Sequence, residues 1–302
     1  MKTSENRFDG EFPFQVLMET TSYCNLRCVM CSRKYIKMKL GIMDEKLKKK
    51  IIDEIAENDP NTRFWFCYFG EPLLLKTRSS FFESIKYAKS KGIKTTIINS
   101  NANLLDNEAV NKLIKNGLDE IYIGIDAFTP DTYHKIRVGG NYNRVIKNID
   151  YLLSKIKNNH PKVVMQFGVY EENEHEVNDF KKYWESRNIE VFIRPKLTWT
   201  GYIKEKYHSN RERYPCPWIF DTFAIDFDGS VPYCVCDAEN RMPVGDINKQ
   251  SIKEVWKGKI KEYQKIHLRK GWGELPEFCQ NCRDWQTKPF YEFIKKLMNE
   301  LP

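Results

Sequence analysis

The feature that most restricts the fold of this chain is an alternation of short apolar runs with amphipathic stretches, repeated between residues 14 and 194. Six runs have the length and residue content of buried strands, and the stretches between them carry apolar residues at helical spacing. The predicted strands are Phe14–Thr20, Arg63–Phe69, Lys94–Asn99, Glu120–Ile125, Val163–Val169 and Glu190–Arg194. This order predicts an α/β fold with a parallel sheet and right-handed crossovers. Functional residues then belong at the carboxyl ends of the strands.

Three closely spaced cysteines follow the first predicted strand. Cys24, Cys28 and Cys31 form a C-x3-C-x2-C run. Three thiolates in one loop can hold three irons of a cubic iron–sulfur cluster and leave the fourth iron open for chemistry. A disulfide framework does not fit an odd number of cysteines. Zinc is the alternative, but structural zinc requires four ligands, and this segment has no fourth cysteine and no nearby histidine.

Composition limits the class of protein. The 302 residues are 41% hydrophobic and 14% aromatic, which predicts a globular protein with one large domain or with a large and a small one. Residues 1–11 are polar, and no run approaches the ~18 apolar residues of a membrane span, so we expect a cytoplasmic protein. The net charge of +8 predicts mainly solvated helix faces, with an anionic substrate as the alternative. No stripe of basic and aromatic residues indicates nucleic acid.

A second group of cysteines lies in the last third of the chain, and its members are Cys216, Cys234, Cys279 and Cys282. Phe223–Phe227 and Ser230–Cys234 are predicted strands, joined at Asp228-Gly229 in a hairpin. Ser251-Ile252-Lys253-Glu254 is a capping-box sequence that predicts a helix, and Pro289–Leu301 predicts a closing helix. Four thiolates suit either zinc or an iron–sulfur cluster, and their spacing does not distinguish the two.

The first cysteine run resembles the signature of the radical S-adenosylmethionine (SAM) superfamily. The resemblance implies a partial (β/α)6 barrel, with a 4Fe–4S cluster on Cys24, Cys28 and Cys31 and with SAM on the open iron. It also implies one-electron cleavage of SAM to a 5′-deoxyadenosyl radical, which takes a hydrogen atom from the substrate. Met30 stands where the family often has an aromatic residue, at a position near the adenine.

Later strand ends resemble other SAM-binding elements of this family. Gly70-Glu71-Pro72 resembles the element that receives the SAM amino group, with a simple Gly-x-Pro turn as the alternative. Ser100-Asn101-Ala102 resembles the segment near the SAM ribose, although alanine replaces a glycine. Gly124 stands where many relatives have a serine that contacts SAM. Arg137 resembles an arginine that faces the SAM carboxylate or the substrate, with a solvated surface arginine as the alternative.

The C-terminal part resembles the shortened SPASM module, or twitch domain, which carries one auxiliary 4Fe–4S cluster on four cysteines. The remaining Cys67 and Cys236 are too few for the second cluster of a full SPASM domain. We therefore expect a radical SAM domain over residues 1–205 and a twitch domain over residues 206–302. Arg194 and Trp199 are candidate substrate contacts, with a packing role as the alternative for the tryptophan.

As a whole, the chain is similar to the twitch-domain dehydrogenases of aminocyclitol biosynthesis. The similarity implies oxidation of a secondary alcohol to a ketone on a sugar-like or aminocyclitol substrate, with the auxiliary cluster as electron acceptor. It also implies an electron donor such as flavodoxin or ferredoxin. The alternatives are a radical epimerase with Cys236 as hydrogen donor, and a peptide-modifying maturase of the RiPP or sulfatase type. A zinc or nucleic-acid binding module is the alternative from another class.

Overall fold

The computed structural model describes residues 10–204, 212–288 and 292–299. Its N-terminal part contains β1 (Gln15–Met18), α1 (Glu45–Asn58), β2 (Arg63–Trp65), α2 (Arg78–Ser90), β3 (Thr95–Ser100), α3 (Asn107–Lys115), β4 (Glu120–Gly124), α4 (Pro130–Ile136), α5 (Tyr142–Lys155), β5 (Lys162–Gly168), α6 (Val177–Glu185) and β6 (Glu190–Arg194). Its C-terminal part contains α7 (Pro217–Asp221), β7 (Thr222–Ile225), β8 (Ser230–Pro232), β9 (Pro243–Asp246), α8 (Ile252–Val255), α9 (Lys261–Leu268), α10 (Glu277–Gln280) and α11 (Glu292–Asn299).

Seven strands form one parallel sheet in the order β6-β5-β4-β3-β2-β1-β7. All six strands predicted from the sequence are present, and helices connect them, which confirms the predicted α/β architecture. None of the helices in the described residues is both long enough and apolar enough to cross a membrane. The first cysteine run directly follows β1, so it lies at the carboxyl edge of the sheet, where the fold class places function.

Local capping chemistry explains where two helices begin. The Asp106 side chain accepts a hydrogen bond from the Ala109 backbone N–H, and it thereby caps α3. Ser251 and Glu254 form a complete capping box at the start of α8. The capping box confirms the prediction made from the sequence Ser251-Ile252-Lys253-Glu254. A π-helical segment with a kink at Gly258 separates α8 from α9.

The two faces of the sheet have different neighbours. Val16 and Met18 of β1 are fully buried in the large core that the helices cover. Leu17 lies between them in the sequence and packs with Ala224 and Cys236 in a separate small cluster. Successive side chains of a strand point to opposite faces, so this cluster lies on the face away from the helices. The segment around Cys236 therefore packs on the face of β1 that carries Leu17, whereas Ile247, Val255 and Trp256 of the C-terminal part join the large core.

The predicted hairpin at residues 223–234 is wrong in its pairing. The tight turn at Asp228-Gly229 is present, and Asp226 N–H donates to Ser230 C=O at 2.9 Å. However, Thr222–Ile225 pairs with β1 in parallel, while Ser230–Pro232 pairs with β9. The free edge of β1 explains this outcome, because β7 is buried along its whole length and its backbone groups need partners. The second strand also ends at Pro232 instead of continuing to Cys234.

The two predicted domains share this sheet. The C-terminal part supplies β7, which lies next to β1 in the seven-stranded sheet. The predicted boundary between residues 205 and 206 falls in segment 205–211, outside the described residues. The predicted closing helix Pro289–Leu301 is present as Glu292–Asn299, and its flanking residues 289–291 and 300–302 also lie outside the description.

Candidate functional site

The first cysteine loop places three thiols in one small buried cluster. Cys28 and Met30 are buried there, and Cys24 and Cys31 pack against them. The Leu26 backbone N–H donates to Cys24 Sγ at 3.5 Å. Burial raises the pKa of the Cys24 thiol to about 12 and also raises that of Cys31. Because a bound cation favours thiolates, these three residues fit a metal cluster that would offset their burial.

The Gly70-Glu71-Pro72 turn after β2 contacts the backbone that leads into this loop. Gly70 has φ +75°, and an added Cβ would lie 2.2 Å from the carbonyl oxygen of Thr21 and 2.6 Å from that of Tyr23. The Glu71 backbone N–H donates to the same Tyr23 carbonyl at 2.8 Å. Only glycine fits this close approach without moving backbone, so the turn is fixed against the cysteine loop.

The Glu71 carboxylate joins the ends of β2 and β3. It is almost completely buried and accepts hydrogen bonds from Ser100 Oγ and the Asn101 backbone N–H, each at 2.8 Å. The Leu73 N–H donates to it at 3.3 Å. Burial raises the pKa of Glu71 to about 6, so the group is mainly ionised at neutral pH. Asn101 Nδ2 in turn lies 3.9 Å from Cys24 Sγ. The structure thus brings the predicted Glu71, Ser100 and Asn101 together beside the first cysteines.

The Arg137 side chain is only 13% exposed and is paired with the fully buried Asp126, so it is not the solvated surface arginine of the alternative. Its Nη2 lies 2.5 Å from Asp126 Oδ2, and its Nη1 lies 3.7 Å from Cys28 Sγ. A Cβ added at Gly124 would lie 2.5 Å from Arg137 Nη2, so the glycine makes room for the guanidinium. Arg137 Nε is buried and has no hydrogen-bond partner in the described part of the chain. An unused donor beside a cysteine ligand fits an anionic group such as a carboxylate.

Trp199 connects the segment after β6 to the first cysteine loop. Its indole N–H donates to the Met30 carbonyl at 3.2 Å, and its ring lies 5.5 Å from that of Phe69. Trp199 and Thr200 both have positive φ, at +52° and +57°. Such strain persists only where surrounding contacts impose it. Arg194, the other predicted substrate residue, is half-buried at the end of β6, and its Nε has no partner among the residues described.

Asp284 supplies the contacts that hold this strained turn. Its two carboxylate oxygens accept the backbone N–H groups of Thr198 at 2.6 Å and of Thr200 at 2.8 Å. Its own N–H donates to Cys282 Sγ at 3.3 Å. One buried carboxylate therefore links the second cysteine group to the turn that carries Trp199. Sequence reasoning missed Asp284, because Thr198 lies 86 positions away and no local pattern relates the two.

Five cysteines of the C-terminal part line one concavity, and they are Cys216, Cys234, Cys236, Cys279 and Cys282. The concavity encloses about 380 Å³ of space between atoms, including its open mouth. Burial raises the pKa of Cys282 well above its ordinary value. No three His, Cys, Asp or Glu side chains within the described ranges are arranged around the position of a single metal ion. A cubane makes a different demand, because each thiolate binds a different iron, and this enclosed set of thiols fits it.

Cys279 has a polar environment that the sequence did not reveal. Tyr233 Oη and Arg213 Nη2 each lie 3.7 Å from Cys279 Sγ, and His267 Nε2 lies 3.9 Å from it. His267 is fully buried, and burial lowers its pKa to about 3, so its ring is neutral. Its Nδ1 accepts the Cys216 backbone N–H at 3.4 Å. These residues come from four separate segments, so no spacing rule could have grouped them.

Cys236 lines the same concavity as Cys234. Both cysteines lie beyond the end of β8 at Pro232, and a turn brings the Cys236 N–H to 3.3 Å from Cys234 Sγ. The Cys236 side chain is buried beside Leu17 and Tyr68, on the face of the sheet that the helices do not cover.

The buried carboxyl group of Glu19 and the half-buried one of Asp226 lie at the carboxyl ends of β1 and β7. Glu19 Oε2 accepts the Phe227 backbone N–H at 3.1 Å, while its Oε1 is buried with no partner in the described residues. Burial, with a contribution from Asp226, raises the pKa of Glu19 to about 8. Burial likewise raises the pKa of Asp226 to about 6. Sequence analysis did not single out either residue, because their proximity depends on the unpredicted pairing of β7 with β1.

Two protein-family models match the chain. A model described as the radical SAM superfamily matches residues 18–183, and the SPASM model, described as an iron–sulfur cluster-binding domain, matches residues 216–283. The first match covers more than half of the chain. Together the two matches include both cysteine groups.

Curated relatives match over different lengths. A tungsten-containing aldehyde ferredoxin oxidoreductase cofactor-modifying protein from Pyrococcus furiosus is 26% identical over 181 residues, which cover 58% of this chain and 49% of the relative. This chain therefore spans about half the length of that relative. An S-adenosyl-L-methionine-dependent 2-deoxy-scyllo-inosamine dehydrogenase from Niallia circulans is 22% identical over 285 residues, or 92% of this chain and 96% of the relative.

A solved structure supports the fold. The crystal structure of BtrN in complex with AdoMet and 2-DOIA matches with a TM-score of 0.64 and 18% identity. The match covers 90% of this chain and 93% of that chain. At this identity the similarity establishes a shared fold over nearly the whole length of both chains.

Proposed function

Because the chain belongs to the radical SAM superfamily and carries a SPASM domain, we propose that it oxidises a secondary alcohol of a sugar-like or aminocyclitol molecule to a ketone. The superfamily and the domain together require SAM and two 4Fe–4S clusters as cofactors. The observation that carries the proposal is the similarity to the Niallia circulans dehydrogenase, which extends through both domains instead of ending with the first.

In this proposal Cys24, Cys28 and Cys31 hold the first cluster. Bound there, the cluster and SAM supply a 5′-deoxyadenosyl radical, which removes a hydrogen atom from the alcohol carbon. Arg137 offers its buried guanidinium to the SAM carboxylate, because its Nε is unpartnered in the described chain and ions of opposite charge pair strongly when desolvated. Gly124 leaves the space that this guanidinium occupies.

The strand-end residues shape the rest of the SAM site. Gly70 and Pro72 flank Glu71 in the turn that abuts the cysteine loop, and Glu71 fixes Ser100 and Asn101 through its carboxylate. Glu71 thus orders the β3 end that faces the ribose in the family resemblance. It accepts three hydrogen bonds from the protein, so its role toward the SAM amino group is mainly to set the local charge.

Met30 and Trp199 form the proposed side wall of the site. The indole N–H holds the Met30 carbonyl, and the adenine packs on the Met30 side chain. On the neighbouring strand end, Arg194 is positioned to contact hydroxyl or anionic groups of the substrate. The substrate is a small molecule, and a flavodoxin or ferredoxin supplies electrons.

The second cluster is held by Cys216, Cys234, Cys279 and Cys282, in the domain proposed to cover residues 206–302. A cluster held by these residues would supply the acceptor for the one electron that the carbon radical loses as its hydroxyl group releases a proton, which leaves the ketone. Cys279 is buried and the other three thiols are partly buried in the concavity, so the protein limits the access of water to this position and with it competing reactions of radicals. The proposed domain of residues 1–205 and this domain share the sheet through β7, which fixes their relative position.

The test is mass spectrometry of anaerobically reconstituted protein incubated with reductant, SAM and 2-deoxy-scyllo-inosamine or related aminocyclitols. The proposal predicts a product that has lost two hydrogens, with one 5′-deoxyadenosine formed for each ketone. A product at unchanged oxidation state, or modification of a peptide and of no aminocyclitol, would contradict it. Iron and sulfide analysis of the same sample tests the zinc alternative independently.

Radical epimerisation is a second candidate, and the position of Cys236 favours it. This thiol is buried between the concavity of the second cysteine group and the face of β1 that carries Leu17. A thiol there can return a hydrogen atom to a substrate radical. In deuterated water, an epimerase places one deuterium on carbon, and Cys236→Ser stops turnover. Dehydrogenation leaves no carbon-bound deuterium, and the same variant stays active.

A further inference from the structure

The polar groups around the second cysteine group are distributed unequally. Cys234 and Cys282 accept backbone N–H groups from residues 236 and 284. The Cys279 sulfur instead faces three side chains, with Tyr233 Oη and Arg213 Nη2 at 3.7 Å and His267 Nε2 at 3.9 Å. Three polar side chains therefore surround the Cys279 sulfur, and the proposed reaction gives none of them a direct role.

All three side chains act as donors around the Cys279 sulfur. Arginine has no acceptor atom, so Arg213 can only donate. The His267 Nδ1 accepts the Cys216 N–H at 3.4 Å, which assigns the ring proton to Nε2. That Nε2 lies 3.4 Å from Tyr233 Oη, whose own hydroxyl proton is then directed at the Cys279 sulfur. His267 therefore donates to Tyr233, Tyr233 donates to the Cys279 sulfur, and each hydrogen bond polarises the next.

These donors are fixed in place by packing. Arg213 also donates to the Cys279 carbonyl at 2.9 Å and to the Gln280 carbonyl at 2.6 Å, and it lies over the Trp272 ring at 4.7 Å. The Tyr233 ring packs 4.6 Å from that of Tyr263. Donors held in this way do not need to reorganise when the charge on the sulfur changes.

We propose that Arg213, Tyr233 and His267 set the reduction potential of the second cluster through the Cys279 sulfur. This inference rests on the proposed function, because it needs an iron–sulfur cluster bound by Cys279. Reduction adds one electron to the cluster and changes no covalent bond. The added negative charge is stabilised by hydrogen bonds to the sulfur and by the guanidinium charge, so these residues raise the potential and favour acceptance of the substrate electron.

The experiment uses the full chain with Cys24, Cys28 and Cys31 replaced by alanine, so that only the second cluster contributes to the signal. A redox titration followed by electron paramagnetic resonance compares this background with Arg213→Gln. At a fixed applied potential the reduced-to-oxidised ratio should fall about tenfold, which corresponds to about 59 mV for a one-electron couple. Tyr233→Phe should lower the ratio by about threefold, as expected for one neutral donor.

Arg213→Lys and Tyr68→Phe serve as controls. The lysine keeps the positive charge and should restore part of the potential lost in Arg213→Gln. Tyr68 is a partly buried tyrosine whose hydroxyl donates to the Val235 carbonyl at 2.7 Å and not to a sulfur, so its replacement should leave the potential unchanged. An equal shift in this control would assign the effect to packing and overturn the inference.

Failure of this inference differs from failure of the proposed function. Full iron content with an unchanged potential in both Arg213→Gln and Tyr233→Phe overturns the inference and leaves the proposed function intact. Zinc in place of iron in the background protein overturns the proposed function itself. If Arg213→Gln does not retain iron, Tyr233→Phe decides the question, because it removes a single oxygen atom from a ring that stays packed.

Discussion

The two cysteine groups differ in how the chain assembles them and in what surrounds them. Cys24, Cys28 and Cys31 come from one loop after β1, so sequence spacing alone brings them together. The C-terminal thiols come from segments that meet only through packing of the second domain. Three thiolates leave one iron of a cubane open to a further ligand, whereas four thiolates occupy all four irons. The contrast fits a first group that meets SAM and a second group that handles electrons alone.

The two sites also differ in the partners of their arginines. Beside the first group, the guanidinium of Arg137 is shared between the carboxylate of Asp126 and the sulfur of Cys28. Beside the second group, Arg213 donates to the backbone carbonyls of Cys279 and Gln280, contacts the Cys279 sulfur and lies over an aromatic ring. In both arginines Nε is buried without a hydrogen-bond partner in the described part of the chain, so the difference lies in the Nη contacts: a carboxylate for Arg137 and backbone carbonyls for Arg213.

The largest effects that we expect come from two variants, each of which removes one of the two cysteine groups. Replacing Cys24, Cys28 and Cys31 with alanine should abolish 5′-deoxyadenosine formation and retain about half of the iron, because the proposed ligands of the second cluster are four other thiols. Replacing Cys279 and Cys282 should leave SAM cleavage intact and stop ketone formation. Chromatography of 5′-deoxyadenosine measures SAM cleavage, and iron analysis measures the clusters that each variant retains. Continued SAM cleavage in the first variant would contradict the assignment.

Gly124→Ser tests whether the space around Arg137 beside the first cysteine group is needed for SAM binding. A side chain at this position would collide with the Arg137 guanidinium, so we expect SAM to bind about tenfold more weakly, as for the loss of one charge-assisted hydrogen bond. Equilibrium dialysis with labelled SAM measures the affinity. Gly273→Ser is the matched control, because an added Cβ there meets no atom within 4 Å. Tighter SAM binding by Gly124→Ser would show that the serine contact of other family members outweighs the space that Arg137 needs.

Asp284→Asn tests whether the second cysteine group influences SAM binding at the first group through the strained turn at Trp199. An amide can accept only one of the two backbone N–H groups that the carboxylate now holds, so Trp199 should lose its fixed position over Met30. We expect SAM affinity to fall by about threefold to tenfold, with both clusters retained. Trp199→Phe should reproduce the effect, and the double variant should add little to it.

The control for Asp284→Asn is Asp221→Asn. Asp221 is equally buried in the C-terminal part, but it pairs with Lys288 at 2.6 Å instead of holding the turn. An equal loss of SAM affinity in both variants would show that general destabilisation of the second domain, and not the turn, causes the change.

The effect least connected with the two cysteine groups concerns the stability contributed by Glu19, at the seam between β1 and β7. Its folded pKa of about 8 exceeds the ordinary value of 4.5, so the folded state binds a proton that the unfolded state releases across this window. The contribution of Glu19 to the free energy of unfolding is therefore fully present below pH 4.5. It falls as the pH rises towards 8, by up to about 1.4 kcal/mol per pH unit. Glu19→Gln should flatten this slope in urea unfolding between pH 5 and 8. The exposed Glu83→Gln is the control, and an unchanged slope in Glu19→Gln would contradict the assignment.

Much of the site was accessible from sequence because it depends on neighbours along the chain. The cysteine run, the Gly70-Glu71-Pro72 turn and the Ser100-Asn101 segment each follow a strand that periodicity revealed. Their convergence then follows from the parallel sheet, since the carboxyl ends of all its strands lie along one edge. Arg137 was identified as a candidate, but only the structure shows that it is buried against Gly124 and Cys28.

The sequence by itself determined what short-range physics controls: the strand and helix periods, the helix caps, the thiols of the first loop and the number of thiols available to the second group. Only the tertiary structure decided that β7 pairs with β1 and that Asp284 accepts hydrogen bonds from the turn at Trp199. It also decided which three donors surround Cys279. These features join residues that are far apart in the chain. Which distant groups meet is decided by burial and by the need of buried polar groups for partners, and no local pattern encodes either.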